Sequence, residues 1–551
     1  MAETKIHDRI QALKNALSEG LYEKDESLRL SLLATIAGES IFFLGAPGCA
    51  KSMIARLVTK AFKGENNEEI KYFETLLNQF STPEDVFGNI SLKALNGELE
   101  DEKGNKKEEY RRLTENMLPE ADIAFLDEIW KASPAILNTL LTIINERKFH
   151  NGSKVQDVPL KALLAASNEL PAKNRGLEAL YDRFIVRLCI DFIKDEENFF
   201  DMIEAPASSA DVSVKLKNLQ ISNAELKEWQ TKIDKVSLSQ EAKSVISAIR
   251  KELTLQNKKM SEEERSEGES FLIGDRRWKK IARILKTSAF LNDRKEVDLM
   301  DCQLIEYCIW STEKQQKKVR EIVEKCIKEN GLDCDTAIDE IRERIEEFEK
   351  IVTERFYIQE EKCTPVTHKM KDGNLAYKIL KPSQIRSYNY ITPYYLCKTY
   401  KHSNYNRQGA YYDNSCNVIG HYDYYFKDHS FKIEKNIASW IDGYSGEEYS
   451  FEIEVSESSE LVRNPQVFDT PDFLEMRQTK TDNEDYMKIK GAIDAELQKL
   501  YDFIQEKAAP YKANLFSDIS YCDIIMTTVL EAKKLLEDEQ VKLDKQKARY
   551  H

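Results

Sequence analysis

Ile41-Phe42-Phe43-Leu44-Gly45-Ala46-Pro47-Gly48-Cys49-Ala50-Lys51-Ser52-Met53 decides the fold of this chain. An apolar, strand-like run comes first, then a loop of small residues, then a stretch to Ala61 that reads as helix. That order builds a phosphate cradle. The helix N-terminus carries about half a positive charge, and its free N–H groups point at whatever anion the loop holds. Lys51 is placed to reach the β- and γ-phosphates of a nucleoside triphosphate, and the Ser52 hydroxyl to coordinate Mg2+. Gly45, Ala46, Pro47, Gly48, Cys49, Ala50, Lys51, Ser52 and Met53 are therefore the expected nucleotide contacts. Ala50 stands where the motif has glycine. One methyl on a backbone taken as helical is expected to weaken phosphate approach without abolishing it.

A second apolar run, Ile123-Ala124-Phe125-Leu126, ends in Asp127-Glu128 and resembles a Walker B strand. Asp127 can hold the Mg2+ shell, and Glu128 can orient and activate the attacking water. Alone, such a pair reads as a strand followed by a solvated acidic turn. About 75 residues after a P-loop, it reads as the second half of a hydrolytic site. A third run, Leu163-Leu164-Ala165-Ala166-Ser167, ends at Asn168, whose amide suits the bridging role called sensor 1.

In this order the motifs resemble the AAA+ superfamily. The text between them is similar to MoxR-type ATPases of the RavA subfamily (regulatory ATPase variant A): Phe80 to Gly88, Tyr110 to Thr114, Leu118 to Ala121, Phe125 to Ala132, Ile144 to Phe149 and Gly274 to Lys280. The resemblance spans residues 9 to 310. It implies an α/β P-loop core, a parallel sheet flanked by helices, an α-helical lid over the nucleotide, and a homo-hexameric ring hydrolysing ATP with Mg2+. Leu180-Tyr181-Asp182-Arg183-Phe184 matches the family's arginine-finger box, so Arg183 is expected to reach a neighbour's γ-phosphate. A guanidinium can bond two phosphoryl oxygens at once, and a finger supplied in trans is worth on the order of 10³–10⁵ in rate. Sensor 2 falls on Arg276 or Arg277, with Arg277 preferred because Trp278-Lys279-Lys280-Ile281 continues as the helix it opens. Adenine contacts are assigned to Leu21 and Tyr22, as in related modules. The resemblance further implies a chaperone-like remodelling role with a von Willebrand factor A domain partner; the alternative is a nucleic-acid-stimulated motor of the helix-2-insert clade.

Composition bounds these choices. The chain has 551 residues, enough for three or four domains, and a net charge of −15, which weighs against nonspecific nucleic-acid binding. No run approaches 18 apolar residues, so no spanning helix is expected, and the N-terminus opens an amphipathic helix rather than a secretory signal. A cytoplasmic location is the expectation. Ten cysteines are scattered without a C-x-x-C pair, which signals neither a zinc ribbon nor a disulfide framework. Cys49 inside the P-loop reads as a small loop filler.

Boundaries follow from changes in period. Residues 1–194 read as the α/β core, with a β-hairpin turning at Asn151-Gly152 and with Lys71 to Gln79 and Glu98 to Glu109 in the helix-2 insert and its loops. Residues 195–312 read as the helical lid, with a polar loop from Asn257 to Gly268. Apolar positions three and four apart, from Val319 to Val352 and from Ile489 to Leu536, mark helical arms over 313–362 and 466–551, broken at Pro510. Between them, 363–465 is β-rich with turns such as Asp372-Gly373-Asn374 and Asp442-Gly443, and 14 of the chain's 25 tyrosines lie between Tyr377 and Tyr449. Tyr388, Tyr390, Tyr394, Tyr395, Tyr422, Tyr424 and Tyr425 are candidate anchors for a protein client, because tyrosine joins a large apolar face to a polar tip.

Overall fold

Ser40–Leu44 forms a strand, β1, buried at every position, as an unbroken apolar run requires of a strand covered on both faces. The computed structural model describes all residues except 1–4, 65–67, 97–107, 173–175, 206–214, 262–269, 333–334, 384–391, 398–407, 424–430, 442–446, 469–479 and 551. With β1 go β2 (Tyr72–Leu76), β3 (Ile123–Asp127), β4 (Ala162–Ser167) and β5 (Phe184–Cys189), in the order β2-β3-β4-β1-β5. Every neighbouring pair is parallel. Leu44 lies level with Ser167 and Cys189, and Leu76 with Asp127. The loops after β1, β3 and β4 therefore share one edge of the sheet, and the residues before the strands share the other. At about 3.3 Å per residue, these strands hold the two edges on the order of 15 Å apart.

The chain divides into two compact units, Met1–Asp339 with Asp494–Glu537, and Glu340–Ile493 with Asp538–His551. In the first unit the helix Asp275–Leu291 packs against Asp25–Ala37 and Asn223–Asp234. Lys280 pairs with Glu39 at 2.7 Å, and Arg283 Nε donates to the Ala37 carbonyl at 2.8 Å. Both partners precede β1, so this helix sits at the sheet edge away from the P-loop, not over the nucleotide as the sequence suggested. Arg277 fastens it. Its guanidinium is buried and all five N–H groups are engaged, on the carbonyls of Cys308, Asp182, Phe184 and Ile185 and on Asp182 Oδ1.

Other expectations shift locally. Lys71 to Gln79 contains the edge strand β2 rather than a loop of the insert. The hairpin pairs Lys148–Asn151 with Lys154–Asp157 and turns at Gly152-Ser153, with Gly152 at φ 65°. Asn151 is instead buried, its amide bonding both the N–H and the carbonyl of Arg112 at 2.6 and 3.1 Å, which ties the hairpin to the insert. Of the polar loop, Asn257–Lys259 is the end of the helix Gln240–Lys259, and the Asn257 amide bonds the N–H and carbonyl of Phe271. The helix Glu313–Asn330 packs on Gln240–Lys259 within the first unit. Lys480–Lys512 continues past Pro510, and the break falls at 513–518. Most of Glu98 to Glu109, residues 262–268 and Asp442-Gly443 lie outside the described residues.

In the second unit, helical segments from 340–356, 480–493 and 538–550 pack through Arg342–Glu539, Arg549–Glu349 and a 2.6 Å bond from Tyr486 Oη to Asp544. A nine-residue antiparallel ladder, Tyr357–Pro365 with Val455–Arg463, roots the β-rich part, earlier than position 363. Beyond it lie an antiparallel five-stranded sheet and a three-stranded one. Tyr411 and Tyr412, adjacent on a strand, point to opposite faces, and each enters its own apolar cluster. Trp440 is the centre of the larger cluster, with the rings of Tyr411, Phe431, Tyr449 and Phe451 5.7 to 6.1 Å away. A sheet covered on both faces absorbs many of the tyrosines. Tyr394 is exposed and Tyr395 half-buried. Tyr422 lies in the strand Val418–Asp423, while Tyr388, Tyr390, Tyr424 and Tyr425 lie outside the described residues.

Arg277→Ala is expected to destabilise the fold by about 3 kcal/mol or more, since it empties a buried site and removes the donors of the Cys308, Asp182 and Ile185 carbonyls, while Phe184 keeps the Arg187 Nε. Arg276→Ala, one residue earlier and exposed, should stay within about 0.5 kcal/mol of wild type. Urea unfolding of the two variants checks the contrast.

Candidate active site

Every group of the first half-site hangs on the edge where β1, β3 and β4 end. After Leu44 the chain turns through Gly45–Ala50 into the helix Lys51–Lys60. Gly48 and Ala50 both have positive φ, 84° and 69°. Ala50 is thus left-handed, not helical as first read, which is the physical reason the motif has glycine there. A Cβ at Gly45 would lie 2.3 Å from the Ile190 carbonyl oxygen, so no side chain fits at that turn. Lys51 is buried, and its ammonium donates to the carbonyls of Gly45 at 2.6 Å and Ala46 at 3.0 Å. Ser52 is half-buried and Met53 exposed beside it. Cys49 is buried, its thiol 2.8 Å from the Ala46 carbonyl oxygen, and burial pushes its pKa up. That is a packing thiol.

Asp127 ends β3 half-buried, and its Oδ1 accepts the Glu128 N–H at 3.0 Å. Glu128 is left-handed at φ 52°, an unfavourable conformation for a non-glycine residue, of the kind that clusters at functional sites. Its Oε2 lies 3.2 Å from the Lys131 ammonium and accepts from the Ser167 hydroxyl at 3.5 Å. Asn168 follows β4 and is exposed on the same edge. Ser167 and Lys131, which sequence reasoning passed over, hold the Glu128 carboxylate. Ser167 is visible in sequence as the last residue of its run, and Lys131 as the residue three after Glu128.

The arginines are elsewhere. Arg183 precedes β5, whose first residue pairs with Ser40, the start of β1. Its Nε donates to Asn145 Oδ1 at 3.3 Å and its Nη1 to the Ala179 carbonyl at 2.5 Å. Arg276 donates to the same Asn145 oxygen. So Arg183 and Arg276 converge at one point on the edge opposite the P-loop, and Arg277 beside them is committed to carbonyls. The structure does not bring any of the three to Lys51, Asp127 or Glu128 of its own chain, and Arg277 has no N–H left for a phosphate.

A cavity of about 310 Å3 opens next to the loop, lined by Gly48, Cys49, Ala50 and Met53 together with Leu21 and Tyr22. Its other wall is Phe192 and Ile193, with Phe199 and Met202, which the sequence placed in the lid. Glu23 locks the two walls together, accepting the N–H groups of Lys194 and Asp195, each at 2.8 Å, and the Asn198 amide at 3.2 Å; these bonds hold its pKa down. A largely apolar cavity beside this loop, with Lys24 and Asp191 as its charged lining, suits a nucleobase.

Ala50→Gly removes the left-handed strain at the cost of some added unfolded-state entropy. The expected net effect is a stabilisation of about 1 kcal/mol, read as a raised midpoint in urea unfolding.

Residues 8–231 match a family model described as the MoxR domain in the MoxR-vWA-beta-propeller ternary systems. Residues 241–323 match the AAA lid domain. Two relatives come from Methanocaldococcus jannaschii: uncharacterized protein MJ0812, 31% identical over 69% of this chain and 92% of its own, and uncharacterized protein MJ0079, 34% identical over 56% of this chain and 71% of its own. The structural protein ORF618 of Acidianus two-tailed virus is 32% identical over 34% of this chain and 31% of its own. With the parallel sheet, the P-loop and the acidic pair at one edge, these matches place the chain in the MoxR family of AAA+ ATPases.

Proposed function

We propose that the chain hydrolyses ATP with Mg2+ at a pocket shared between two copies in a hexameric ring. One observation carries the reading: phosphate cradle and acidic pair lie on one sheet edge, while Arg183 and Arg276 lie on the other, on the order of 15 Å away across strands of five and six residues. One chain cannot close both halves on a single phosphate, whereas stacking copies edge to edge can. Arg183 is then the finger in trans, with Arg276 beside it as sensor 2 and Arg277 as the residue that positions the helix carrying Arg276.

The residues fit the nucleotide. Among the described residues the buried Lys51 ammonium has only neutral carbonyls as hydrogen-bond partners, the loop leaves no room for side chains at Gly45, and an apolar slot beside it suits the base. Ser52 and Asp127 would hold Mg2+, which supplies charge neutralisation at the β- and γ-oxygens. Glu128 orients and deprotonates the attacking water once Lys131 and Ser167 release it. Asn168 positions that water from the neighbouring strand end.

The ring is proposed to remodel or mature protein complexes with a von Willebrand factor A domain partner. The matched family description supports this, since it names that domain and a β-propeller together with MoxR. It does not name RavA, so the RavA-like plan rests on motif resemblance and on an inserted β-rich part between helical arms. In that plan 1–194 is the core, 195–312 together with the helix Glu313–Asn330 the lid, and the β-rich part rooted by the ladder Tyr357–Pro365 with Val455–Arg463 the client-binding insert between helical segments. Among the described residues no helix is long and apolar enough to cross a membrane; a cytoplasmic place is the accompanying proposal.

Three variants test the shared pocket. Glu128→Gln is expected to keep ATP binding and lose at least 100-fold in turnover. Arg183→Ala alone should do the same, and Lys51→Ala alone should lose binding. Mixing Arg183→Ala with Lys51→Ala subunits should restore part of the turnover, because some interfaces regain both halves. A strictly monomeric protein with full activity would overturn the reading.

A further inference from the structure

A second cavity, of about 1010 Å3, lies between the core and the helices Asn223–Asp234 and Asp275–Leu291, at the sheet edge away from the P-loop. It touches Gly38 and Glu39, which precede β1, and Asp122 and Lys161, which precede β3 and β4. The cavity is large enough for a nucleotide-sized ligand.

Its charge is unbalanced. Three carboxylates line it and each is already paired: Asp122 with Lys161, Glu39 with Lys280, and Asp234 with Arg283. Arg147 from the core, with Lys279 and Lys286 from the facing helix, also line it and have no ion-pair partner among the described residues. Two polar atoms in the wall are orphaned as well. Arg147 Nη1, a donor, and Asn223 Oδ1, an acceptor, are buried without a hydrogen-bond partner within the protein. A buried donor or acceptor left unmade costs about 1–3 kcal/mol, and more when charged. Arg147 is held in place, its Nη2 donating to the Gly38 carbonyl at 2.8 Å; burial lowers its pKa, and the nearby Glu39 carboxylate offsets that only in part. The chain as a whole is acidic at −15, so a basic cavity here runs against the average surface.

We propose that this cleft binds a small, multiply phosphorylated anion, bridging Arg147 of the core to Lys279 and Lys286 of the lid helix, with Asn223 accepting a hydroxyl or amine of the ligand. Anion binding there neutralises charges on both sides of the cleft and clamps the lid helix to the core. Within one chain β1 lies between this cleft and the P-loop, while the cleft wall includes Arg276, the residue proposed to face a neighbouring copy's nucleotide.

The test uses the full-length protein with the P-loop filled by Mg·N-methylanthraniloyl-ADP, whose fluorescence reports that site. Calorimetric titration with sodium tripolyphosphate is expected to show one further saturable site per chain with the fluorescence unchanged. The double variant Lys279→Glu/Lys286→Glu should weaken it at least tenfold while leaving ADP affinity as it was. The variant Lys488→Glu/Lys533→Glu, which changes the net charge equally outside the cleft, should bind as wild type. Cytidine triphosphate separates the two sources of such phosphate. Tighter binding than tripolyphosphate, levelled by Asn223→Ala, identifies a nucleotide, and equal binding identifies a bare polyphosphate. No additional site in wild type, equal weakening in the control variant, displacement of the fluorescent ADP, or binding of duplex DNA in place of tripolyphosphate would each overturn the proposal.

Discussion

Parallel hydrogen bonding between β4, β1 and β5 is the constraint on which this molecule depends. Because parallel strands all run the same way, whatever follows a strand collects on one edge and whatever precedes it collects on the other. The P-loop, Asp127, Glu128 and Asn168 all follow strands, whereas Arg183 precedes one. The separation of acid and cation is thus a consequence of topology and strand length. A rotation of any side chain leaves it in place.

The same edge logic explains two adjacent arginines with different fates. Successive residues on a helix point about 100° apart, so at the start of Asp275–Leu291 one of the pair faces inward and the next faces out. Arg277 goes in and is saturated by carbonyls; Arg276 stays out beside Arg183 at Asn145. A buried guanidinium tolerates this only because each N–H has an acceptor. Those hydrogen bonds offset its desolvation and at the same time fasten the helix to the chain around β5.

Contiguous features were legible in the residues. The P-loop, the strand ending in Asp127-Glu128, the strand ending before Asn168 and the helical periods each occupy one short stretch whose chemistry depends on neighbours in sequence. The missed or displaced features depend on distant partners. Phe192, Phe199 and Met202 wall the cavity beside the P-loop only because Glu23, some 170 residues earlier, accepts N–H groups from Lys194 and Asp195. Asn151 looked like a turn residue, yet its amide is taken by the backbone of Arg112. Tyr411 and Tyr412 are core residues because the sheet that carries them has an apolar cluster on each face, which adjacent positions in one strand do not reveal.

Local pattern alone therefore determined the α/β P-loop architecture and which residues follow its strands, since strand, turn and helix signals act over a few residues. Tertiary structure decided which arginine is buried against carbonyls, which helix walls the cavity beside the P-loop, and that the P-loop and Arg183 lie at opposite ends of the strands. Those depend on strand register and on the inward or outward turn of a helix face, quantities set by packing across the whole sheet.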